Sequence, residues 1–277
     1  MKEQIELLRS MDFSSLHRER SRKTKIRHEG KWGIYDSPVY DYEITFSPIL
    51  GRSRISDLLK YKPSPVVVDL MASSRALRTL FRDLPQRDTF GIALSIGSVR
   101  TKKEKSMDKA RGIRVVNGNL NRPRTLERAR KLLGGRKVDL VMARPVAGLD
   151  HLINHPLNYA VIGRKLWSML DENGAMLLQL PAASVLKNAN IDIDSWVELM
   201  NTRGIEARWD GSTGGKVTLF VRRNPSSPDV LPFPPGSMLY EGPIQEPKLA
   251  VECARNGNNE QIEIPQLPKG SVEVIGI

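Results

Sequence analysis

The sequence predicts an α/β fold: a mostly parallel, seven-stranded sheet that ends in an antiparallel hairpin. Two observations predict it. Between residues 66 and 204, five short apolar runs alternate with stretches of helical periodicity. Two further runs, IEARW and KVTLFVRR, are then separated only by DGSTGG, which is turn chemistry. Continuous apolar runs joined by helices indicate strands buried on both faces, as in parallel sheets.

The elements follow in chain order. PSPVVVDLM begins after two prolines and ends near an acid, and residues 75–82 then place Ala76, Leu77, Leu80 and Phe81 at helical spacing. TFGIALSI is the second run, followed by a polar, basic helix over 98–110. GIRVVNGNL is the third. The helix after it, 125–133, stops at Gly134-Gly135. KVDLVMARP is the fourth run. An amphipathic helix over 157–170 stops at DENG, and AMLLQLP is the fifth run. A last helix, 193–202, ends at Gly204 and leads into the hairpin. In open sheets of this kind a ligand sits beyond the carboxyl ends of the strands. Functional residues are therefore expected within 69–74, 94–97, 117–120, 143–146 and 180–182.

Three divisions are expected. Residues 1–49 form a basic arm and an aromatic cap, 50–223 the sheet domain, and 224–277 a proline-rich extension. No apolar run is long enough to cross a bilayer, and MKEQIELLRS has no apolar signal core. The single cysteine, Cys253, allows neither an internal disulfide nor a cysteine-built zinc site, so a reducing, cytoplasmic setting is expected. His151 and His155 lie four apart but lack a third ligand, so no metal is expected.

The order of five strand–helix units and a hairpin resembles the Rossmann-like fold of class I S-adenosylmethionine-dependent methyltransferases. The resemblance covers roughly residues 50–223. VVVDLMASSRAL stands at that family's first strand and turn, FGIALSI at its second strand, VVNGNL at its third and VDLVMARP at its fourth. LWSMLDENGAMLLQLP resembles the family's helix, turn and fifth strand. The resemblance implies S-adenosylmethionine as cofactor, held by Asp69, Met71, Ala72, Ser73, Ser74, Leu94, Ser95, Asn119, Leu120, Ala143, Arg144 and Pro145. It also marks departures. The first turn carries no glycine, and Ala93-Leu94-Ser95 replaces the acid that grips the cofactor's ribose. Asn119 stands where the family has its third acid. On the other reading, Asp69 only caps the next helix and the serines are ordinary turn residues.

No catalytic residue is assigned. The Asn/Asp-Pro-Pro-aromatic segment of amino-methylating members is here Ala143-Arg144-Pro145-Val146. Cys253 lies far from any strand end, and the Lys–Asp–Lys–Glu set of ribose methylation is broken by Arg144 and Gln179. A dinucleotide oxidoreductase is disfavoured because no G-x-G-x-x-G follows the first strand.

The net charge of +12 points to a polyanionic partner, nucleic acid first and RNA favoured. Basic clusters lie at 17–31, beside Trp32, Tyr35, Tyr40 and Tyr42, and at 100–114 and 122–137. The last two fall in sheet crossovers, where they could form one surface. Two classes of function remain: a divergent methyltransferase acting on RNA or a nucleic-acid-associated protein, and a non-catalytic module that binds nucleic acid or scaffolds an assembly.

Overall fold

The computed structural model describes residues 38–235, apart from 71–72, 96–99, 119, 121–122, 145–155, 189–190 and 213–214. Met71, Ala72, Asn119 and Pro145, the two histidines, the 17–31 cluster and Cys253 lie outside the described residues. Among the described residues, no helix is long and apolar enough to cross a membrane.

The chain enters through helix α1 (Val39–Leu50), followed by a 3-10 turn over Ile55–Leu58. The alternating units are β1 (Val66–Leu70), α2 (Arg75–Asp83), β2 (Phe90–Ser95), α3 (Lys102–Ala110), β3 (Ile113–Asn117), α4 (Pro123–Leu133), β4 (Val138–Ala143), α5 (Pro156–Met169) and β5 (Leu170–Leu180). Helices α6 (Ala183–Asn188) and α7 (Ile193–Thr202) precede β6 (Glu206–Asp210) and β7 (Val217–Arg222).

The sheet order is β3-β2-β1-β4-β5-β7-β6. The first five strands pair in parallel, and β7 is antiparallel to both of its neighbours. Within the hairpin, the antiparallel strand β7 lies between β5 and β6, and β6 forms the edge. The DENG turn lies inside β5. Leu170 pairs with Val138 and Ala175 with Leu140, so residues 171–174 bulge out of the ladder. A Cβ on Gly174 would stand 2.6 Å from the Val138 carbonyl oxygen, which explains the glycine.

Two apolar layers cover the sheet. On one face Val67, Ala93, Leu140 and Met142 pack against Tyr42, Phe46 and Ile49 of α1 and Leu77 and Leu80 of α2. On the other, Val68, Leu94, Val116 and Val141 pack against Leu126 and Ala129 of α4, Trp167 of α5 and Trp196 of α7. Residues 224–235 lie over this second layer. Leu231 is buried in it, and the indoles of Trp167 and Trp196 donate to the carbonyls of Pro228 and Pro232 at 2.9 and 3.0 Å.

Helix α1 falls largely in the stretch read only as an aromatic cap, and Pro48 lies inside it. Pro48 has no N–H to donate to the Ile44 carbonyl. The hydroxyl of Ser47 donates to that carbonyl instead, at 2.9 Å, and keeps the last turn satisfied.

Gly112 closes the turn between α3 and β3 with φ +67°, and a Cβ there would meet the Thr89 carbonyl oxygen at 2.3 Å. Gly134 has φ +59° but open space around it. Gly112→Ala should therefore cost about 3 kcal/mol or more, from backbone strain plus overpacking. Gly134→Ala should cost only about 1 kcal/mol. Urea denaturation of the two variants checks this, and equal losses would contradict the close approach at Gly112.

Candidate functional site at the strand tips

The strand ends divide into a polar and an apolar side. Period-two alternation sends Leu70, Leu94 and Ala143 to the layer beneath α4 and α5, where Leu120 joins them; all four are buried. Asp69 and Ser95 face the other way, on the side of α1 and α2. These two residues are 0% and 1% exposed.

Asp69 is the centre of the polar side. Its Oδ1 accepts a hydrogen bond from the Tyr42 hydroxyl at 2.8 Å, and its Oδ2 has no partner among the described residues. Burial pushes the carboxyl well above the ordinary aspartate range, against the smaller, opposing pull of the Tyr42 hydrogen bond. Tyr42 is also held well above its usual range, by burial first and by the adjacent Asp69 carboxylate. On the neighbouring strand, the buried Ser95 Oγ likewise has no partner among the described residues. The Ser95 carbonyl accepts from the Gly118 amide at 2.8 Å, which joins the tips of β2 and β3.

Helix α1 closes this side with residues from one of its faces. Arg144, just past β4, donates from Nε to Thr45 Oγ1 at 2.7 Å, and its Nη1 lies 3.8 Å from the Asp41 carboxylate. The α1 amide of Val39 donates to Thr79 Oγ1 of α2 at 2.8 Å. Thr45 and Asp41 were missed by sequence reasoning, and Tyr42, read as an aromatic beside the basic cluster, is instead buried against Asp69. The signal present was the spacing of Val39, Tyr42, Phe46 and Ile49, broken to the eye by the prolines.

The serines of the first turn have separate duties. Ser73 Oγ accepts from the Arg75 amide at 3.2 Å, a turn role. Ser74 Oγ donates to Asp108 Oδ2 at 2.8 Å and accepts from Arg78 Nη1 at 3.0 Å. Asp108 also takes Arg78 at 3.0 Å and Arg100 at 2.7 Å, and Arg78 reaches Glu104 at 3.2 Å. This buried ionic network joins α2 to α3 and was not foreseen. Asp108 is the one buried residue of α3, so an acid rather than an apolar stripe anchors that helix.

The structure thus brings Asp69, Ser95 and Arg144 to one side of the strand tips and Leu94, Leu120 and Ala143 to the other, while Ser74 is drawn into the ionic network. The unpartnered Asp69 Oδ2 and Ser95 Oγ fit a ligand that brings hydrogen-bond donors, as the amine and hydroxyls of S-adenosylmethionine would.

The fold is the Rossmann-like α/β type that the sequence resemblance implies, with a mostly parallel seven-stranded sheet and an antiparallel β7. Among solved structures it is similar to an O-methyltransferase family protein from Burkholderia thailandensis, at 16% identity and TM-score 0.40, covering 66% of this chain and 58% of that one. It is also similar to precorrin-6y C5,15-methyltransferase from Geobacter metallireducens, at 15% identity and TM-score 0.35, covering 61% and 84%. A third is TrmN from Thermus thermophilus, at 18% identity and TM-score 0.37, covering 61% and 47%. No protein-family model and no curated protein matches the chain.

Proposed function

We propose that this protein is an S-adenosylmethionine-dependent methyltransferase whose cofactor lies over the tips of β1, β2 and β4, with RNA or a nucleic-acid-associated protein as acceptor. One observation carries the reading: two buried polar atoms, Asp69 Oδ2 and Ser95 Oγ, are left without a partner among the described residues at neighbouring strand tips. Each such atom costs about 1–3 kcal/mol, and folded proteins keep few of them. They stand where open α/β sheets bind ligands, which supports a role as acceptors kept for a bound molecule.

S-adenosylmethionine, when bound, supplies an electrophilic methyl group. The chain's own residues would hold and orient it. Asp69 offers an acceptor to an amine, Ser95 offers a hydroxyl, and Leu94, Leu120 and Ala143 give an apolar wall. By the sequence resemblance, Met71, Ala72, Ser73, Asn119 and Pro145 would complete the contact set, and Ser74 contributes through the placement of α2. Arg144 is a positioning residue that ties the β4 tip to α1.

The rival reading, a non-catalytic module, is favoured by a specific observation. Tyr42 already occupies one oxygen of Asp69, and Ser74 is spent on Asp108. Calorimetric titration with S-adenosylmethionine and S-adenosylhomocysteine tests the cofactor. Binding in the micromolar range is expected, and no heat at millimolar ligand with a folded protein would overturn the proposal. Methyl transfer from labelled cofactor to RNA then separates the readings, since the non-catalytic module transfers nothing.

A further inference from the structure

The charge of this chain is concentrated in one place. Residues 100–137 contain fourteen Lys and Arg against three acids, so this stretch carries nearly all of the chain's net +12. Two of the three acids are turned inward or engaged: Asp108 is buried in the ionic network, and Glu104 bonds Arg78 and the cap residue Thr101. The basic side chains therefore dominate what solvent meets.

The topology gathers them. β3 is the edge strand of the sheet. Helix α3 lies on the α2 side, through Asp108 and Arg78, and α4 lies on the opposite side, through Leu126, Ala129 and Leu133. The same sheet edge is thus flanked on both faces by basic helices. Lys102, Lys103 and Lys105 of α3 and Arg124, Arg130 and Lys131 of α4 are exposed and enter no ion pair among the described residues. Arg114 stands exposed on β3 between them.

Lysines that guard against unwanted pairing sit on the edge strand itself. Here the cations sit mostly on the helices, away from the strand's own hydrogen-bonding edge. No exposed aromatic side chain of the described residues is interleaved with them, so the surface suits phosphates rather than base stacking.

We propose that the β3 edge, with α3 and α4 on either side, is a docking surface for the phosphate backbone of a nucleic acid, engaged without base readout. The proposal does not rest on methyl transfer or on the strand-tip cofactor. The test is fluorescence anisotropy of the full-length protein with labelled RNA and DNA hairpins, without cofactor, from 50 to 200 mM salt. Either hairpin should bind, with a loss of about a thousandfold across that range if some six phosphates are contacted. A preference between the two names the natural source.

Two triple variants localise the contact: Lys102→Ala/Lys103→Ala/Lys105→Ala and Arg124→Ala/Arg130→Ala/Lys131→Ala. Each should weaken binding at least tenfold and lower the salt slope by about 2–3. Because all six side chains are exposed, unfolding transitions should match the parent's, and Arg52→Ala/Lys187→Ala should bind as the parent does. Binding by neither hairpin would overturn the proposal. So would unchanged affinity in both triple variants.

Discussion

Asp69→Asn is expected to leave the protein at least as stable as the parent at pH 8 while lowering its affinity for S-adenosylmethionine tenfold or more. The carboxyl is fully buried, has one donor in Tyr42, and is pushed upward by burial. Its folded-state pKa therefore lies above the unfolded value of about 4. The folded chain keeps this proton to higher pH than the unfolded chain does. Stability from this group is then full below the unfolded pKa and is lost as pH rises through the folded one. Asparagine retains an oxygen for the Tyr42 hydroxyl and carries no charge to bury. Thermal unfolding at pH 4 and pH 8 should show the variant gaining on the parent as pH rises, with each 1 kcal/mol moving Tm by about 2–4 °C. A variant that is less stable by the same amount at both pH values would contradict an uncompensated buried carboxylate. Retained cofactor affinity would separately remove Asp69 from the binding site.

The second large effect belongs to the ionic network under α3. Asp108→Ala should destabilise the protein by about 3–5 kcal/mol, a large part of a domain's total. The carboxylate's side chain is 1% exposed and receives Ser74, Arg78 and Arg100. Its removal leaves two guanidinium groups without their main acceptor, one of them only 9% exposed. Arg78→Ala should cost less than Asp108→Ala, because the acid keeps its bonds from Ser74 and Arg100. Lys60→Ala, which breaks the exposed pair with Asp57, should change stability by less than about 1 kcal/mol. Chemical denaturation midpoints order the three. A loss below 1 kcal/mol for Asp108→Ala would show that apolar contacts, not this acid, secure α3.

The central strands were readable from sequence because they are buried on both faces. VVVDL of β1 has no exposed residue, so it reads as a continuous run rather than an alternation. The hairpin was readable from DGSTGG. Its insertion order was not, since turn chemistry says which strands pair but not which of them meets β5. α1 was obscured by Pro48, whose cost is offset by a neighbouring hydroxyl that no propensity scale credits. At the site, Asp69 could be nominated from its place at a strand end. Its partner Tyr42 lies 27 residues away, and the Arg144–Thr45 contact spans 99. Such pairings are set by the sheet's stacking of distant segments, and local periodicity carries no trace of them. The role of Ser74 was hidden for the same reason: its acceptor, Asp108, sits in a helix whose apolar pattern is almost nil.

The placement of β7 has a consequence for biosynthesis. β5 is the longest strand, and its free edge is covered only when Val217–Arg222 slides in between it and β6. While the ribosome is still adding residues 181–222, the nascent chain presents that apolar edge uncovered, a template for pairing with other chains. A product terminated anywhere in that stretch should aggregate rather than persist as a smaller folded unit.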